Sequence, residues 1–433
     1  MKELIKKIIT KILVIEARLI LAKYKPQIIA VTGNVGKTST KDAIGHVLME
    51  HMHVRKSNKS YNSDFGVPLT IIGADTGWGS AFAWLGIIFK GLNQIIYKVD
   101  YPKVLVLEVG ADTPGDIESI SKWLHPDITV ITQFQPVPVH VEFFKNREHL
   151  IREKGYLVEA TKKDGLVLYT SDDHDSHELS KLTKAKSVSY GFENWSDVRA
   201  ESLDTLYEVT GDFEAPVGIA ARITVGDSSI PMKITGVLGG GHIYSALPAL
   251  YIGTLFGINL LGGAQALEIA EKPKGRMRLL RGVKKTTIID DTYNASPKAV
   301  EHALKTLSGL HTDGKKIAVI GDMMELGKKS QDEHTRIGKV AAESVHVLVT
   351  VGSRSRDIAE GAMDNGMSSE YIYQADSALE AGKYVETILS ANDVILVKGS
   401  QSIRTEKVVE EIMSEIDRKS ELLVRQEKEW QAR

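Results

Sequence analysis

The chain has 433 residues, 42% of them hydrophobic and 25% charged, with a formal net charge of −2. That length supports two or three domains with proper cores, and the composition excludes a disordered chain. The charge balance gives no general pull toward nucleic acid. The chain contains no cysteine, which excludes disulfides and thiolate metal sites and points to a reducing cytoplasm.

The first predicted element is an amphipathic helix from Leu4 to Ala22, apolar at Ile5, Ile8, Ile12, Ile15 and Leu19, with Lys6, Lys7, Lys11, Glu16 and Arg18 between. It is too charged to span a bilayer and lacks the small-residue cleavage pattern of a signal peptide. A buried strand, Ile28–Val31, runs directly into Thr32-Gly33-Asn34-Val35-Gly36-Lys37-Thr38-Ser39. A strand, a glycine turn and then a helix leave backbone N–H groups pointing outward, with a lysine to reach terminal phosphates and a hydroxyl for Mg²⁺. The spacing departs from the usual phosphate loop, because Val31 stands where the first glycine belongs. A plain strand-turn-helix with a surface lysine is the competing reading.

Ala81–Tyr97 is a second apolar stretch, interrupted by Lys90, Asn93 and Gln94, so a span is again not expected. Both apolar helices suit a bilayer surface, although packing against the protein's own body is the commoner fate. Val104–Glu108, Ile128–Thr132 and Leu166–Tyr169 continue the buried strands, alternating with helix-length segments as in a parallel sheet. From Val198 to Val237 the pattern becomes antiparallel, with turns at Gly211-Asp212 and Gly226-Asp227, and a helix follows from Ile243 to Phe256. Lys272-Pro273-Lys274-Gly275-Arg276 reads as a hinge. A fresh βα alternation then uses Thr287–Asp290, Ile317–Ile320, Val347–Val351 and Val394–Val397. The tail from Arg418 to Arg433 reads as a solvated charged helix. The domains expected are 1–26, an amphipathic helix; 27–272, an α/β nucleotide-binding domain; and 273–433, a smaller Rossmann-like domain with a helical tail.

Several residues stand where ligands bind in such folds. Glu108 ends an apolar strand, beside the phosphate loop, where a carboxylate can hold Mg²⁺ or pair with a structural lysine. His140 follows the next strand and is a metal ligand or a satisfied polar residue. Lys154 by itself is an ordinary helix-face lysine. Asn294, within Asp290-Asp291-Thr292-Tyr293-Asn294-Ala295-Ser296-Pro297, offers a donor and an acceptor to a base or ribose, or belongs to a helix cap.

Taken in order, these segments resemble the Mur ligase family of ATP-dependent amide-forming enzymes, nearest the type that adds D-alanyl-D-alanine. The resemblance is carried by Thr32–Thr38, Asn62–Thr70, Glu108–Ile117, Gly275-Arg276, Asp290–Pro297, Gly321–Gly327 and Val397–Ser400. It runs from about Gln27 to about Ile412. It implies a P-loop-type central ATPase domain followed by the Rossmann-like domain, and a peptide ligase of peptidoglycan synthesis working through an acyl phosphate. By the same resemblance ATP is held by Gly33, Asn34, Val35, Gly36, Lys37, Thr38 and Ser39, with Arg276 and Asn294 reaching it from the second domain. Two Mg²⁺ ions are implied, one on Thr38 and one on Glu108, His140 and Lys154, the lysine carbamylated by CO₂. Lys37, Lys154 and His140 are the implied catalytic residues, and Asp322, Lys398 and Ser400 fall near the expected amine site.

Two departures stand out. The family normally opens with a domain for the UDP end of its substrate, and here one amphipathic helix precedes the first strand. In Gly239–Ser245 the family's pair of asparagines falls where His242 and Ser245 stand. The expected partners are a small-molecule or lipid-linked muramoyl peptide and an amino acid or dipeptide, without nucleic acid. The expected location is the cytoplasm, with room for peripheral contact with a membrane. Folylpolyglutamate or poly-glutamate ligases of the same fold, and a non-catalytic nucleotide-binding homologue, are the alternatives.

Overall fold

The computed structural model describes residues 2–57, 62–77, 80–111, 113–134, 144–210, 213–427 and 430. Two sheets organise them. The first holds β1 (Gln27–Thr32), β2 (Val54–Lys56), β3 (Val104–Glu108), β4 (Ile128–Ile131), β5 (Leu166–Thr170), β6 (Lys186–Gly191), β7 (Val198–Thr210), β8 (Phe213–Val225) and β9 (Ser228–Thr235). Its order is β2-β3-β1-β4-β5-β6-β7-β8-β9, parallel up to β7 and antiparallel beyond. The expected antiparallel patch is therefore a continuation of the main sheet.

Alternation along β1 divides the core. Ile29 and Val31 join one apolar cluster with α2 (Lys37–Met49). Ile28 and Ala30 face the opposite cluster, built with α1 (Lys2–Tyr24), α3 (Gly66–Ile72), α4 (Ala81–Ile96), α5 (Asp116–Ser121) and α6 (Arg147–Glu159). Successive side chains of a strand point to opposite faces, so a strand covered on both sides must be apolar throughout. α7 (His174–Ser180) follows β5, and α8 (Gly241–Leu255) and α9 (Leu260–Ile269) follow β9, α8 packing on α2.

The second sheet contains β10 (Arg278–Arg281), β11 (Thr287–Asp291), β12 (Lys316–Gly321), β13 (Val347–Val351), β14 (Ile372–Ala375) and β15 (Val394–Lys398). Its order is β10-β11-β15-β12-β13-β14, with only the β10–β11 pair antiparallel. α10 (Pro297–Ser308), α11 (Ser330–Ser344) and α12 (Arg356–Asp364) cover one face, and α13 (Ala378–Ile388) and α14 (Glu406–Ile412) the other. The two halves are tied at the linker, where Leu238 N–H donates to Met277 O at 2.9 Å and Leu279 N–H to Gly236 O at 2.9 Å.

Two expectations change. From Arg418 to Glu427 the tail is no solvated helix: α15 spans only Lys419–Leu422, and Leu422, Leu423, Val424 and Arg425 are buried. Three apolar residues in a row outweigh the charges around them. α1 also turns a different face inward, burying Leu13, Ala17 and Ile20 while Ile8, Ile15 and Leu19 stay exposed. The helix is apolar on more than one side, so the sequence pattern alone does not say which side packs. Among the described residues no helix is long and apolar enough to cross a membrane.

Candidate active site

The phosphate loop leaves the C-terminal end of β1, between β3 and β4. Only glycine fits at position 33, where φ is +128° and a Cβ would overlap Thr132 Oγ1. Gly36, at φ +85°, caps α2 in the left-handed region. The N–H groups of Asn34 and Val35 are taken by Gln133 O at 3.0 and 3.1 Å. That leaves the first turn of α2, from Lys37 onward, as the N–H cluster that a phosphate meets. Lys37 Nζ lies folded over the loop, donating to Gly33 O at 3.0 Å and Asn34 O at 3.2 Å.

Glu108 is the last residue of β3, in register with Val31 of β1, so parallel pairing sets it beside the loop. It is 2% exposed, and its Oε2 has no hydrogen-bond partner among the described residues. A buried, orphaned carboxylate oxygen is costly unless a cation or donor arrives. Lys154, on α6, is also buried and lines the same cleft. Its neighbour Glu153 explains the placement. Glu153 accepts the N–H groups of Gly115, Ile117 and Glu118 at 3.0, 2.8 and 3.1 Å, closing the open end of α5 and pinning α6 against it. Nothing in the sequence separates this carboxylate from the other acids of the helix.

The second half supplies the opposite wall. Gly275 (φ +65°) has no room for a side chain, since a Cβ would come within 2.8 Å of Tyr293 N. Its carbonyl accepts that N–H at 2.9 Å, and its own N–H donates to Asp290 at 3.1 Å. Burial pushes Asp290 up to about 6, against the opposing pull of the Thr292 hydroxyl bond at 2.6 Å. The Arg276 guanidinium lies over the Tyr293 ring, 4.1 Å from its centroid. Asn294 spends its Oδ1 on Ala295 N–H at 2.9 Å. A ligand would therefore meet its NH₂ end.

Asp291 and Lys398 end adjacent parallel strands in register, and they pair at 2.6 Å in the cleft wall. Lys398 also donates to Asn294 O at 2.8 Å. His242, at the start of α8, bridges the two halves through Nε2 and Arg276 O at 3.0 Å. A carbonyl only accepts, so Nε2 carries the proton. Burial, helped by the Arg276 cation nearby, holds this imidazole down at about 4, hence neutral at pH 7. The tail contributes as well: Arg425 donates to Thr292 O at 2.9 Å and Tyr293 O at 2.5 Å while pairing with Glu406 at 2.8 Å.

The cleft between these walls measures about 790 Å³. It brings together Gly33, Asn34, Val35, Gly36, Lys37, Thr38, Ser39, Glu108, Lys154, Arg276, Asn294 and Lys398. Asp322 and Ser400 are not among its lining residues. Asp322 accepts Ser355 N–H at 2.7 Å, in the loop beyond β13, and Ser400 Oγ accepts Met324 N–H at 2.9 Å, in the loop beyond β12. His140 lies outside the described residues. Among the described residues no cluster of three or more His, Cys, Asp or Glu forms a metal cage.

The sequence matches the Mur ligase middle domain over residues 90–239 and the Mur ligase glutamate ligase domain over residues 275–401, together more than half of the chain. The chain belongs to the Mur ligase family. It is 27% identical over 401 residues to the UDP-N-acetylmuramoyl-tripeptide–D-alanyl-D-alanine ligase of Bacillus subtilis strain 168, covering 92% of this chain and 78% of that one. The Mycobacterium tuberculosis H37Rv protein of the same name is 28% identical, covering 87% of this chain and 70% of its own length. Among solved structures, the Thermotoga maritima MurF ligase in complex with ADP superposes with TM-score 0.75 at 24% identity, covering 95% and 84% of the two chains. The Mycobacterium tuberculosis folylpolyglutamate synthase shares the Mur ligase fold with TM-score 0.61 at 13% identity, covering 91% and 94%.

Proposed function

We propose that this Mur ligase joins an acceptor carboxylate to an incoming amine at the expense of ATP, adding D-alanyl-D-alanine to a muramoyl peptide of peptidoglycan synthesis. The observation that carries the reading is the cleft. There the N-terminus of α2, Lys37, the unpartnered Oε2 of Glu108 and the buried Lys154 face Arg276, Tyr293 and Asn294. The names of its relatives supply the acceptor and the dipeptide. We read residues 27–272 as the ATP-binding domain and 273–433 as the domain that brings the amine. The acceptor is carried on UDP or on a lipid, in the cytoplasm or at the membrane face that a lipid carrier implies.

The chemistry runs in two displacements. A carboxylate oxygen of the acceptor attacks the γ-phosphorus of ATP, an acyl phosphate forms and ADP leaves. The amine then attacks the acyl carbon, the amide bond forms, inorganic phosphate departs and the ammonium proton is lost. The first turn of α2 and Lys37 cradle the triphosphate, which requires Lys37 to leave the carbonyls of Gly33 and Asn34. Thr38, Glu108 and Lys154, the lysine carrying a carbamate, form the set that would hold Mg²⁺, and the orphaned Glu108 oxygen fits that role. Bound there, divalent ions neutralise the repulsion between two anions that must meet. CO₂ adds to a neutral lysine amine with loss of one proton, giving an oxygen ligand where a lone acid stands. Arg276 and Tyr293 offer a cation and a π-face to the nucleotide, and Asn294 its amide N–H.

A phosphate-release panel tests the assignment. UDP-linked and lipid-linked muramoyl tripeptides are offered with D-alanyl-D-alanine, single amino acids or glutamate. Turnover is expected with D-alanyl-D-alanine. Glutamate-dependent turnover on a folate or poly-glutamate acceptor would replace this reading, and ATP binding without turnover on any pair would make the chain a non-catalytic homologue.

A further inference from the structure

α1 and α4 carry an apolar surface that the rest of the described protein leaves open. On α4 the exposed residues are Phe82, Leu85, Phe89, Leu92 and Ile96, with Phe82 at 86%, Phe89 at 67% and Ile96 at 68%. At about 100° per residue they fall within roughly 80° of one another, a single stripe. On α1, Ile8, Ile15 and Leu19 are exposed and lie within about 40°. A folded protein seldom leaves so much large apolar side chain together without a use.

The contacts of α1 fix what flanks its stripe. One flank meets α4, where Glu16 packs against Gly91 and Lys23 and Tyr24 donate to the carbonyls of Gln94 and Tyr97. The other flank opens into a cleft of about 360 Å³ around Trp123, with Arg18, Lys25, His125 and Lys162 on its walls and no carboxylate among its lining residues. Lys162 is shared with Asp127 at 2.7 Å, and His125 Nδ1 lies 3.3 Å from Ala160 O. Arg18 and Lys25 have no acidic partner among the described residues. Lys7 and Lys11 continue the cationic shoulder along α1, where the one acid between residues 7 and 24, Glu16, is buried.

We propose that this face seats the protein on the anionic surface of a lipid bilayer, both apolar stripes at the headgroup boundary and a lipid phosphate between Arg18 and Lys25. Apolar residues bordered by cations and backed by a cationic cleft roomy enough for a lipid headgroup match that surface in both of its chemistries. No described helix is long enough to span, so the contact is peripheral. A second copy of the chain on the same face would set two cationic shoulders against each other. The proposal is independent of the ligase reading, because its test measures binding without turnover.

The test is flotation of the full chain with phosphatidylcholine vesicles, with and without phosphatidylglycerol. The wild-type protein is expected to float with the phosphatidylglycerol vesicles, more weakly as salt rises. Phe82→Ser with Phe89→Ser should weaken that binding at least ~10-fold while melting at the wild-type temperature. Arg18→Gln with Lys25→Gln should abolish the preference for phosphatidylglycerol. Wild-type protein left in the aqueous fraction with both vesicles overturns the proposal. So does a concentration-dependent dimer in sedimentation that the Phe82→Ser, Phe89→Ser variant loses, since a second copy would then cover the face.

Discussion

At the scale of single residues, the reading of the cleft rests on buried polar groups that the described residues leave incompletely partnered. Glu108 is the plainest: the buried Lys41 lies within electrostatic reach, yet the Oε2 of Glu108 has no hydrogen-bond partner among the described residues. Glu108→Gln should therefore cost little stability and at least ~100-fold in turnover, measured by phosphate release, since a neutral amide does not replace a charged ligand at a cation site. Lys154→Ala should abolish turnover, and short carboxylates in the buffer should restore part of it. Full activity of that variant would remove the carbamate from the account. Glu16 makes a separate, structural prediction. Burial pushes its carboxyl from 4.5 up to about 7, and neither oxygen has a partner among the described residues. The folded state thus holds the proton more tightly than the unfolded chain. Stability falls as pH rises from 4.5 through 7 and levels off above. Glu16→Met should remove that slope and gain ~1–3 kcal/mol at pH 8 but much less at pH 4, read from denaturant midpoints.

At the scale of elements, the parts of the site that the sequence exposes are those set by short-range rules. The apolar run into Gly33 and Gly36 announces a strand, a turn and a helix start, and Glu108 is visible because it terminates an apolar strand. Pairing register then does what no local pattern can. It lays Glu108 beside Val31 and Asp291 beside Lys398. The three-residue β2 (Val54–Lys56) and the polar β6 (Lys186–Gly191) carry too little apolar alternation to be seen, and only their neighbours' edges recruit them. Arg425 is the hardest to foresee. It is one charge among many in the tail, yet it holds the Thr292 and Tyr293 carbonyls from 132 or more residues away. Arg425→Ala leaves Glu406 with Arg404 alone. It should cost about 2–3 kcal/mol, less than for a fully orphaned buried acid, and raise the KM for ATP severalfold by loosening the loop that presents Asn294. An unchanged KM would confine that tail to a structural role. Gly33→Ala should eliminate nucleotide binding altogether, checked by calorimetry with ADP, because the loop has no space beside Thr132.

At the scale of the whole molecule, two α/β halves enclose one cleft, and most of the segments that resemble the family in sequence, though not Gly321–Gly327, contribute residues to its lining. The sequence's order of domains follows from alternating βα units with a break near Gly275, a pattern that survives ignorance of packing. What lay beyond reach was long-range: which face of α1 turns inward, and that Asp322 and Ser400 each tie a neighbouring loop. His242 links the halves through Arg276 O, and its Nε2–H donates whether the ring is neutral or charged, so the hydrogen bond itself does not depend on the ring's titration. The central claim is an acyl phosphate made in that cleft, and oxygen transfer reports it directly. With ¹⁸O in the acceptor carboxylate, ATP and D-alanyl-D-alanine, one labelled oxygen should appear in inorganic phosphate for every amide formed. Unlabelled phosphate accompanying amide formation would contradict the account.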